Sequence, residues 1–304
     1  MFRHRTIGPI TPPVSVILFT FRFDPVSAAA IAVALALYIV GIVTVVRRGG
    51  RWRVLPTLAF VLLGLGSFAA IQFGFLGTYS HDLRFAFTTR IALLLFAVPA
   101  LMALGRPVDL ARQALTGRRL ELLEGFFRSV FMKVVGSAIF SPLFGLALFT
   151  VFITPLAFPW RASETGQILV TLLVPLIGLL MILPVFDSSL HHTSFYITVE
   201  FMLAFVELIL DAIPGIVLRI TGHVLDHGHS IAAVVQPWYP TQLRDQQLSG
   251  DLLWFIAELA DIPVLIFLFV RWSRTDKKEA KVLDEMSDEE MERLTQEHLR
   301  SFGR

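Results

Sequence analysis

The sequence has no cysteine in its 304 residues, and only 16% of its residues are charged. Without cysteine it has no disulfides, no thiolate metal ligands and no nucleophilic thiol. Soluble domains have roughly a quarter of their residues charged. The low charge, with 55% apolar residues and a mean hydropathy of +0.69, therefore predicts that membrane lipid surrounds the chain. The net charge of +2 is too small to indicate a nucleic-acid partner.

Long apolar runs recur along the chain and predict an all-α fold, a polytopic bundle of about seven transmembrane helices. A helix needs about 20 apolar residues to cross the hydrocarbon core. The runs that meet this measure are 26–46, 55–77, 85–104, 131–153, 168–185, 195–218 and 252–270. We divide the chain into an N-terminal interfacial segment (1–25), a membrane domain (26–271) and a charged, helical cytoplasmic tail (272–304).

Lysine and arginine in the short loops predict the orientation of the bundle. They are concentrated after the first, third and last predicted spans, as Arg47, Arg48, Arg51, Arg53, Arg106, Arg112, Arg118, Arg119, Arg128, Arg271, Arg274, Lys277, Lys278 and Lys281. Because these residues favour the cytoplasmic side, we expect the N-terminus outside and the C-terminus in the cytoplasm. Over 107–128, apolar residues interleave with arginines, which predicts a helix on the inner leaflet.

Acidic residues inside predicted spans are candidates for function, because charge in the bilayer core is costly. The sixth span has Glu200, Glu207 and Asp211 on one helical face, and the seventh has Asp251, Glu258 and Asp261 on one face near Trp254. They predict either a proton or cation path, or a network of hydrogen-bonded, protonated carboxyls. Asp251 also suits a helix cap at the interface.

Histidines in the loop after the sixth span form the best candidate metal site. His223, His227 and His229 lie within seven residues, and the i, i+4 pair of His223 and His227 suits zinc or copper(II) on a helix. His81 is the external residue that could complete the set. The alternative is a solvated polar loop without metal.

The order of several short motifs resembles the actinobacterial branch of the CtaG family of cytochrome c oxidase assembly proteins. The motifs are Phe23-Asp24-Pro25, Tyr38, Arg47-Arg48-Gly49-Gly50-Arg51-Trp52, Tyr79-Ser80-His81, Leu104-Gly105-Arg106-Pro107, Ser141-Pro142, Thr154-Pro155-Leu156, Asp245-Gln246-Gln247-Leu248-Ser249-Gly250 with Trp254, Glu258 and Pro263, and Arg271-Trp272-Ser273-Arg274. The resemblance covers nearly the whole chain. It implies a multi-span protein of the bacterial plasma membrane that helps to bring copper to the oxidase.

The resemblance also implies intramembrane histidines that this chain lacks. By spacing, they fall at Phe87, Ile91, Gln167, Leu173 and Asp211, so His81 is the member of that set that is present. Copper ligation, if the family role is kept, is therefore expected on the external side. Asp245 and Glu258 match family positions, which implies a structural or coupling role for both.

Three functional hypotheses remain. The leading one is a non-enzymatic assembly or accessory factor of the cytochrome c oxidase branch, with oxidase subunits as partners and copper as the expected metal. The second is a permeation or proton-coupled protein that uses the intramembrane carboxylates. The third is a structural subunit of another envelope complex. No hydrolase triad, phosphate-binding loop or nucleotide fingerprint indicates an enzyme.

Overall fold

The computed structural model describes residues 12–135, 140–151, 153–186, 194–225 and 236–284. These residues form helices joined by turns and short loops, with no strand in the described ranges. The helices are α1 (Val14–Phe19), α2 (Pro25–Arg47), α3 (Val54–Tyr79), α4 (Arg84–Ala103), α5 (Pro107–Ala114), α6 (Arg118–Arg128), α7 (Val130–Val135), α8 (Phe140–Val151), α9 (Ala157–Ala162), α10 (Glu164–Phe186), α11 (Ser194–Ile220) and α12 (Gln242–Asp284).

Five helices of the described ranges are long and apolar enough to cross a membrane: α2, α3, α4, α10 and α11. They coincide with the first, second, third, fifth and sixth predicted spans, which confirms an all-α membrane bundle. The fourth predicted span contains α8 and also includes positions outside the described residues. The seventh lies within α12. The count of seven and the orientation of the termini stay predictions.

α4 is the central helix of the bundle. Of its most apolar stretch, 67% is buried, compared with 11% for α2 and 33% for α10. Its side chains Phe87, Leu94 and Val98 are almost completely enclosed. α2 instead exposes a long apolar face that includes Leu37, which suits contact with lipid tails or a neighbouring helix. Because α4 is buried, its polar groups must find their hydrogen-bond partners within the protein.

Two of the spanning helices contain a π-helical stretch, Ala59–Leu65 in α3 and Leu93–Ala97 in α4. Both stretches lie at close helix contacts made by glycine. A Cβ on Gly64 would lie 3.0 Å from the Cα of Met102, and a Cβ on Gly178 of α10 would lie 2.1 Å from the carbonyl oxygen of Leu95. Glycine at these positions is what allows α3, α4 and α10 to approach so closely.

α11 and α12 pack against each other as a tight antiparallel pair. They cross at Gly215 and Gly250, where a Cβ on Gly250 would lie 2.4 Å from the carbonyl oxygen of Gly215. Near the crossing, the guanidinium of Arg219 lies 3.1 Å from the carboxylate of Asp251. Small residues at such contacts are typical of membrane helices, because association there depends on close packing of backbones.

The segment between the third and fourth predicted spans differs from the single helix that we expected. It forms two helices, α5 and α6, because Leu115 is extended and Gly117 has a φ of 56°, in the left-handed region that favours glycine. Further along, α12 runs to Asp284 without interruption, across the predicted boundary between membrane domain and tail. The domain division itself stays a prediction, and residues 285–304 lie outside the described ranges.

The bundle has two chemically different ends. One carries the starts of α4 and α12 and the end of α3, where Arg84 and Asp245 are hydrogen-bonded; we call it the polar end. The other carries the end of α2 and the short helix α5, whose last residue, Ala114, accepts a hydrogen bond from the guanidinium of Arg48; we call it the arginine-rich end. α4 is 20 residues long, so the two ends are roughly 30 Å apart at 1.5 Å per residue.

Candidate functional site

The start of α4 is capped by a side chain from a distant helix. The carboxylate of Asp245 accepts hydrogen bonds of 2.8 Å from the backbone N–H groups of both Arg84 and Phe85. These N–H groups have no acceptor within their own helix, as at every helix start. Asp245 is only 8% exposed. Its cap therefore holds α12 against α4 across about 160 residues of sequence.

The protonation of Asp245 reflects opposing influences. Burial raises the pKa of this carboxyl, which lies before the apolar part of α12. The hydrogen bonds from Phe85 and Arg84 and the positive charges of Arg161 and Arg84 oppose the rise. The two backbone donors suit a structural role, which is one of the two roles, structural or coupling, that the family resemblance implied for this residue.

Further residues of the Asp245–Gly250 motif strengthen the contact with α4. Gln246 is fully buried; its Oε1 accepts from the guanidinium of Arg84 at 3.1 Å and from the backbone N–H of Leu225 at 2.8 Å. Its amide donates to the carbonyl oxygen of His223 at 3.0 Å. The hydroxyls of Thr88 and Ser249 are 2.6 Å apart. Gln246 thus fixes the loop after α11 to the start of α4.

Arg90 lies inside the bundle and is 4% exposed. Its guanidinium donates to the Oε1 of Gln72 at 2.7 Å, to the hydroxyls of Ser80 at 3.1 Å and Thr171 at 2.5 Å, and to the Oε1 of Gln167. All four are uncharged, so within the described ranges Arg90 is a buried cation solvated by amide and hydroxyl oxygens. Its planar set of five donors explains how one side chain can join α3, α4 and α10.

We call this set of buried hydrogen-bonded side chains the polar network; its members are Gln72, Ser80, Arg84, Thr88, Arg90, Gln167, Thr171, Asp245, Gln246 and Ser249. It connects four helices at the polar end. The Nε2 of Gln72 is buried without a partner, but the other hydrogen bonds of the network favour one arrangement of its helices, because a different arrangement would leave more polar groups unsatisfied.

Aromatic residues border the network. The rings of Phe75, Tyr79, Trp238 and Tyr239 pack together, with Trp238 and Tyr239 4.6 Å apart between centroids. The hydroxyl of Tyr239 donates to the carboxylate of Asp82 at 2.8 Å. Burial and this contact with Asp82 raise the pKa of Tyr239 above its ordinary value of 10.0.

His81, the candidate external metal ligand, has partners for both ring nitrogens. Nε2 lies 3.1 Å from the carbonyl oxygen of Ala162, and Nδ1 lies 3.4 Å from the carboxylate of Asp82. His223 is exposed and follows α11, while His227 and His229 lie outside the described residues. In the described ranges, no group of three or more histidine, aspartate or glutamate residues is placed to hold a metal ion.

The structure describes the side chains of two of the predicted intramembrane acids, Asp251 and Glu258. Glu200, Glu207 and Asp211 are positions of α11 and Asp261 of α12, and their side chains lie outside the described set. Asp251 is paired with Arg219, but it lies nine residues after the start of α12, so the expectation that it caps a helix is wrong. Glu258 is half-buried and accepts a hydrogen bond of 2.7 Å from the indole of Trp254, one turn earlier. The proton-path prediction remains untested.

Sequence reasoning missed Arg90, Gln72 and Thr171. The signal for Arg90 was present, because an arginine six residues into the third predicted span is as unusual as the acids that were singled out. Gln167 was noted only as a position where the resemblance implies histidine, yet it is a partner of Arg90. Phe87 and Ile91, two other such positions, are core residues that are 1% and 3% exposed.

The sequence of the chain is similar to those of known proteins and to one family model. Proteins named as uncharacterized from Mycobacterium bovis and from Mycobacterium tuberculosis are each 24% identical over 289 residues, which is 92% of this chain and 43% of theirs. The chain thus spans less than half the length of these relatives. No solved structure matches it. The family model described as cytochrome c oxidase caa3 assembly factor matches residues 36–275. The chain therefore belongs to the family of cytochrome c oxidase caa3 assembly factors.

Proposed function

We propose that this protein is a non-enzymatic assembly factor for cytochrome c oxidase that acts by holding a membrane subunit of the oxidase. The observation that carries the proposal is the family match over residues 36–275. That range contains the whole polar network and the arginine-rich end of the bundle. The bacterial plasma membrane and a cytoplasmic C-terminus are part of the same proposal.

The geometry of the polar end favours a scaffold over a catalyst. A catalytic centre needs reactive groups that face a space for substrate. Here the reactive groups are engaged in hydrogen bonds within the protein. Asp245 accepts from two backbone N–H groups, Arg90 donates to four neutral acceptors, and Asp82 accepts from Tyr239. Such contacts fix the positions of helices relative to one another. A rigid bundle with exposed apolar faces suits a protein that binds other membrane helices.

The decisive experiment is co-purification with oxidase subunits. The tagged chain is isolated from its own membranes in mild detergent, beside an unrelated polytopic protein with the same tag. We expect oxidase subunits only with the chain. Cells that lack the chain should also lose the haem absorbance of the assembled oxidase. Normal oxidase absorbance in those cells, with no oxidase subunit enriched over the control, would falsify the proposal.

Copper ligation by His81, His223, His227 and His229 is a separate proposal. The part of the chain described by the structure does not favour it, because His81 is engaged by Ala162 and Asp82 and no metal-binding group is assembled there. Its test is the copper content of the purified protein and of a variant with alanine at His223, His227 and His229. Copper in the wild type and its loss in the variant is the result that the proposal requires. Equal copper contents, including none in either, remove it.

A further inference from the structure

The arginine-rich end contains a pocket that the assembly role does not explain. Its volume is about 280 Å³, and it is lined by Arg51, Trp52, Arg53, Pro56, Arg106, Asp109, Arg112 and Gln113. Four of these eight residues are arginines, and the lining contains a single acidic residue, Asp109. The pocket is therefore strongly cationic. It lies between the loop after α2 and the start of α5, at the level where the apolar spans end.

The arginines of the pocket differ in how they are engaged. Arg112 is held by Glu124, 2.9 Å from its Nε, and lies over the ring of Phe127. In the described part of the chain, the guanidinium groups of Arg51, Arg53 and Arg106 make no hydrogen bond or ion pair. These three arginines are exposed and line one pocket, and an anion bound there would interact favourably with all of them. Arginine suits phosphate oxygens in particular, because its planar donors bind them in pairs.

Trp52, which lines the pocket, is held by residues from distant parts of the sequence. The indole of Trp52 donates to the hydroxyl of Tyr38 at 3.3 Å, and this hydroxyl donates to the carbonyl oxygen of Gly105 at 2.8 Å. The ring of Tyr38 stacks on Phe60 at 4.1 Å. Gly105 cannot be replaced easily, since a Cβ there would lie 2.5 Å from the Cβ of Phe60. These contacts fix Trp52 and the backbone just before Arg106 relative to each other.

Arg106 is held in an unfavourable backbone conformation. Its φ of 52° lies in the left-handed region, and among the described residues it is the non-glycine residue with positive φ. A β-carbon makes this conformation costly, so glycine or asparagine is usual there. Arginine at such a position is an observation that points to a use for its side chain.

An apolar surface begins directly beside the cationic pocket. The first turns of α3, which contribute Pro56 to the lining, expose the side chains of Leu55, Leu58 and Leu62. Leu55 is 76% exposed and Leu62 is 64% exposed. A ligand with a phosphate in the pocket and hydrocarbon chains along α3 would cover both surfaces. Cationic pockets at the ends of membrane helices are known to bind anionic lipid headgroups.

We propose that this pocket binds the phosphate headgroup of one anionic phospholipid, with the acyl chains lying along Leu55, Leu58 and Leu62. The shared chemistry is a phosphate group, which a free anion could also supply, but the exposed leucines favour the lipid. The proposal is independent of the assembly role. It gives Arg51 and Arg106 a function in ligand recognition that differs from their effect on topology.

Native mass spectrometry of the full chain in detergent tests this site. The probes are a phosphatidylglycerol, a phosphatidylcholine with the same acyl chains, and inorganic phosphate. We expect the wild type to retain one phosphatidylglycerol in preference to phosphatidylcholine, and Arg51→Gln/Arg106→Gln to bind it about thirtyfold more weakly. The matched control is Arg118→Gln/Arg119→Gln, which removes the same charge from α6, outside the pocket, and should bind like the wild type.

A second variant separates recognition from folding. Arg106→Gly relieves the backbone strain and removes the guanidinium, so it should unfold no more easily than the wild type while binding phosphatidylglycerol about fivefold more weakly. Equal weakening of phosphatidylglycerol binding in both double variants would show general attraction between arginines and lipid and would overturn the site. Binding unchanged from the wild type in both double variants would overturn it as well, because the pocket arginines would then play no part. Retention of inorganic phosphate without a preference between the two lipids would overturn the assignment to lipid.

Discussion

The carboxylate of Asp245 accepts the backbone N–H of Arg84 at 2.8 Å, so a residue at the start of the last described helix completes the first turn of the central one. The same carboxylate also accepts from Phe85. This contact closes the bundle between helices that are far apart in the chain. It also makes Asp245 the residue of the family-like motif with the clearest structural purpose.

Replacing Asp245 by alanine should destabilise the protein. The variant loses both acceptors for the start of α4 and buries two N–H groups without partners, at a cost of about 2 kcal/mol or more. Asp245→Asn keeps one carbonyl oxygen and should lose less. The measurement is unfolding in detergent, followed by circular dichroism. Asp251→Ala is the control, because its exposed pair with Arg219 contributes less than about 1 kcal/mol; equal losses in both variants would contradict the capping role.

Arg90→Lys should destabilise the bundle although the charge is kept. A lysine ammonium is a compact group with three donors, and it cannot reach acceptors on α3, α4 and α10 as a planar guanidinium does. At least one buried acceptor is left unsatisfied, which costs about 1 to 3 kcal/mol. Arg118→Lys, at an exposed site on α6, is the control and should unfold like the wild type. A variant Arg90→Lys as stable as the wild type would show that the guanidinium geometry is not needed.

Gly250→Ala should weaken the contact between α11 and α12. The added methyl group would meet the backbone of Gly215, and overpacking of this kind costs about 1 to 3 kcal/mol. Gly125→Ala in α6 is the matched control, since nothing lies within 4 Å of a Cβ there. Alanine also favours helix over glycine, so the control should be unchanged or more stable, by up to about 1 kcal/mol. The comparison of the two unfolding midpoints tests the crossing.

Tyr239 should make the folded state sensitive to alkaline pH. Burial and Asp82 raise its pKa above the ordinary value of 10.0, so the folded protein binds the phenolic proton more tightly than the unfolded chain. The protonated Tyr239 therefore contributes fully to the free energy of unfolding below pH 10, and this contribution is lost as the pH rises above 10. Unfolding in detergent should show a smaller loss of stability above pH 10 in Tyr239→Phe than in the wild type. The same alkaline loss in both proteins would assign it to other groups.

The helices that form the membrane bundle were predictable, because apolar length alone identifies α2, α3, α4, α10 and α11. The contacts at the polar end were not. Asp245 was recognised from a motif, but nothing in the sequence indicates that its partner is the start of α4, about 160 residues earlier. Such pairings depend on how helices are arranged in space. Gly215 and Gly250 show the same limit, because the sequence does not indicate that these two glycines lie opposite each other where α11 and α12 cross.

The candidate site shows a second limit, which concerns the types of residue considered. Acidic residues and histidines in spans indicate familiar membrane chemistry, whereas the sequence does not show that Arg90 has four buried acceptors around it. The interfacial segment 107–128 was recognised as amphipathic, but its division at Gly117 depends on one backbone angle. The pocket at the arginine-rich end needs both the Arg51-Trp52 motif and the Gly105-Arg106-Pro107 motif. Hydropathy marks each as a helix end and does not show that they meet.

The π-helical stretch of α4 has a consequence for how the molecule can vary. Each residue turns an α-helix by about 100°, and a π-helical turn contains one residue more than an α-helical turn. Deleting one residue from Leu93–Ala97 would therefore convert the π-helical turn into an α-helical one and leave both halves of α4 facing as before. Deleting one residue between Arg90 and Leu93, outside that stretch, would instead rotate the rest of the helix by about 100°, so that Arg90 and Gly105 would no longer face their partners together. The polar network and the pocket at the arginine-rich end are thereby coupled through the length of this helix, and the π-helical stretch is the place where α4 could lose a residue and preserve both.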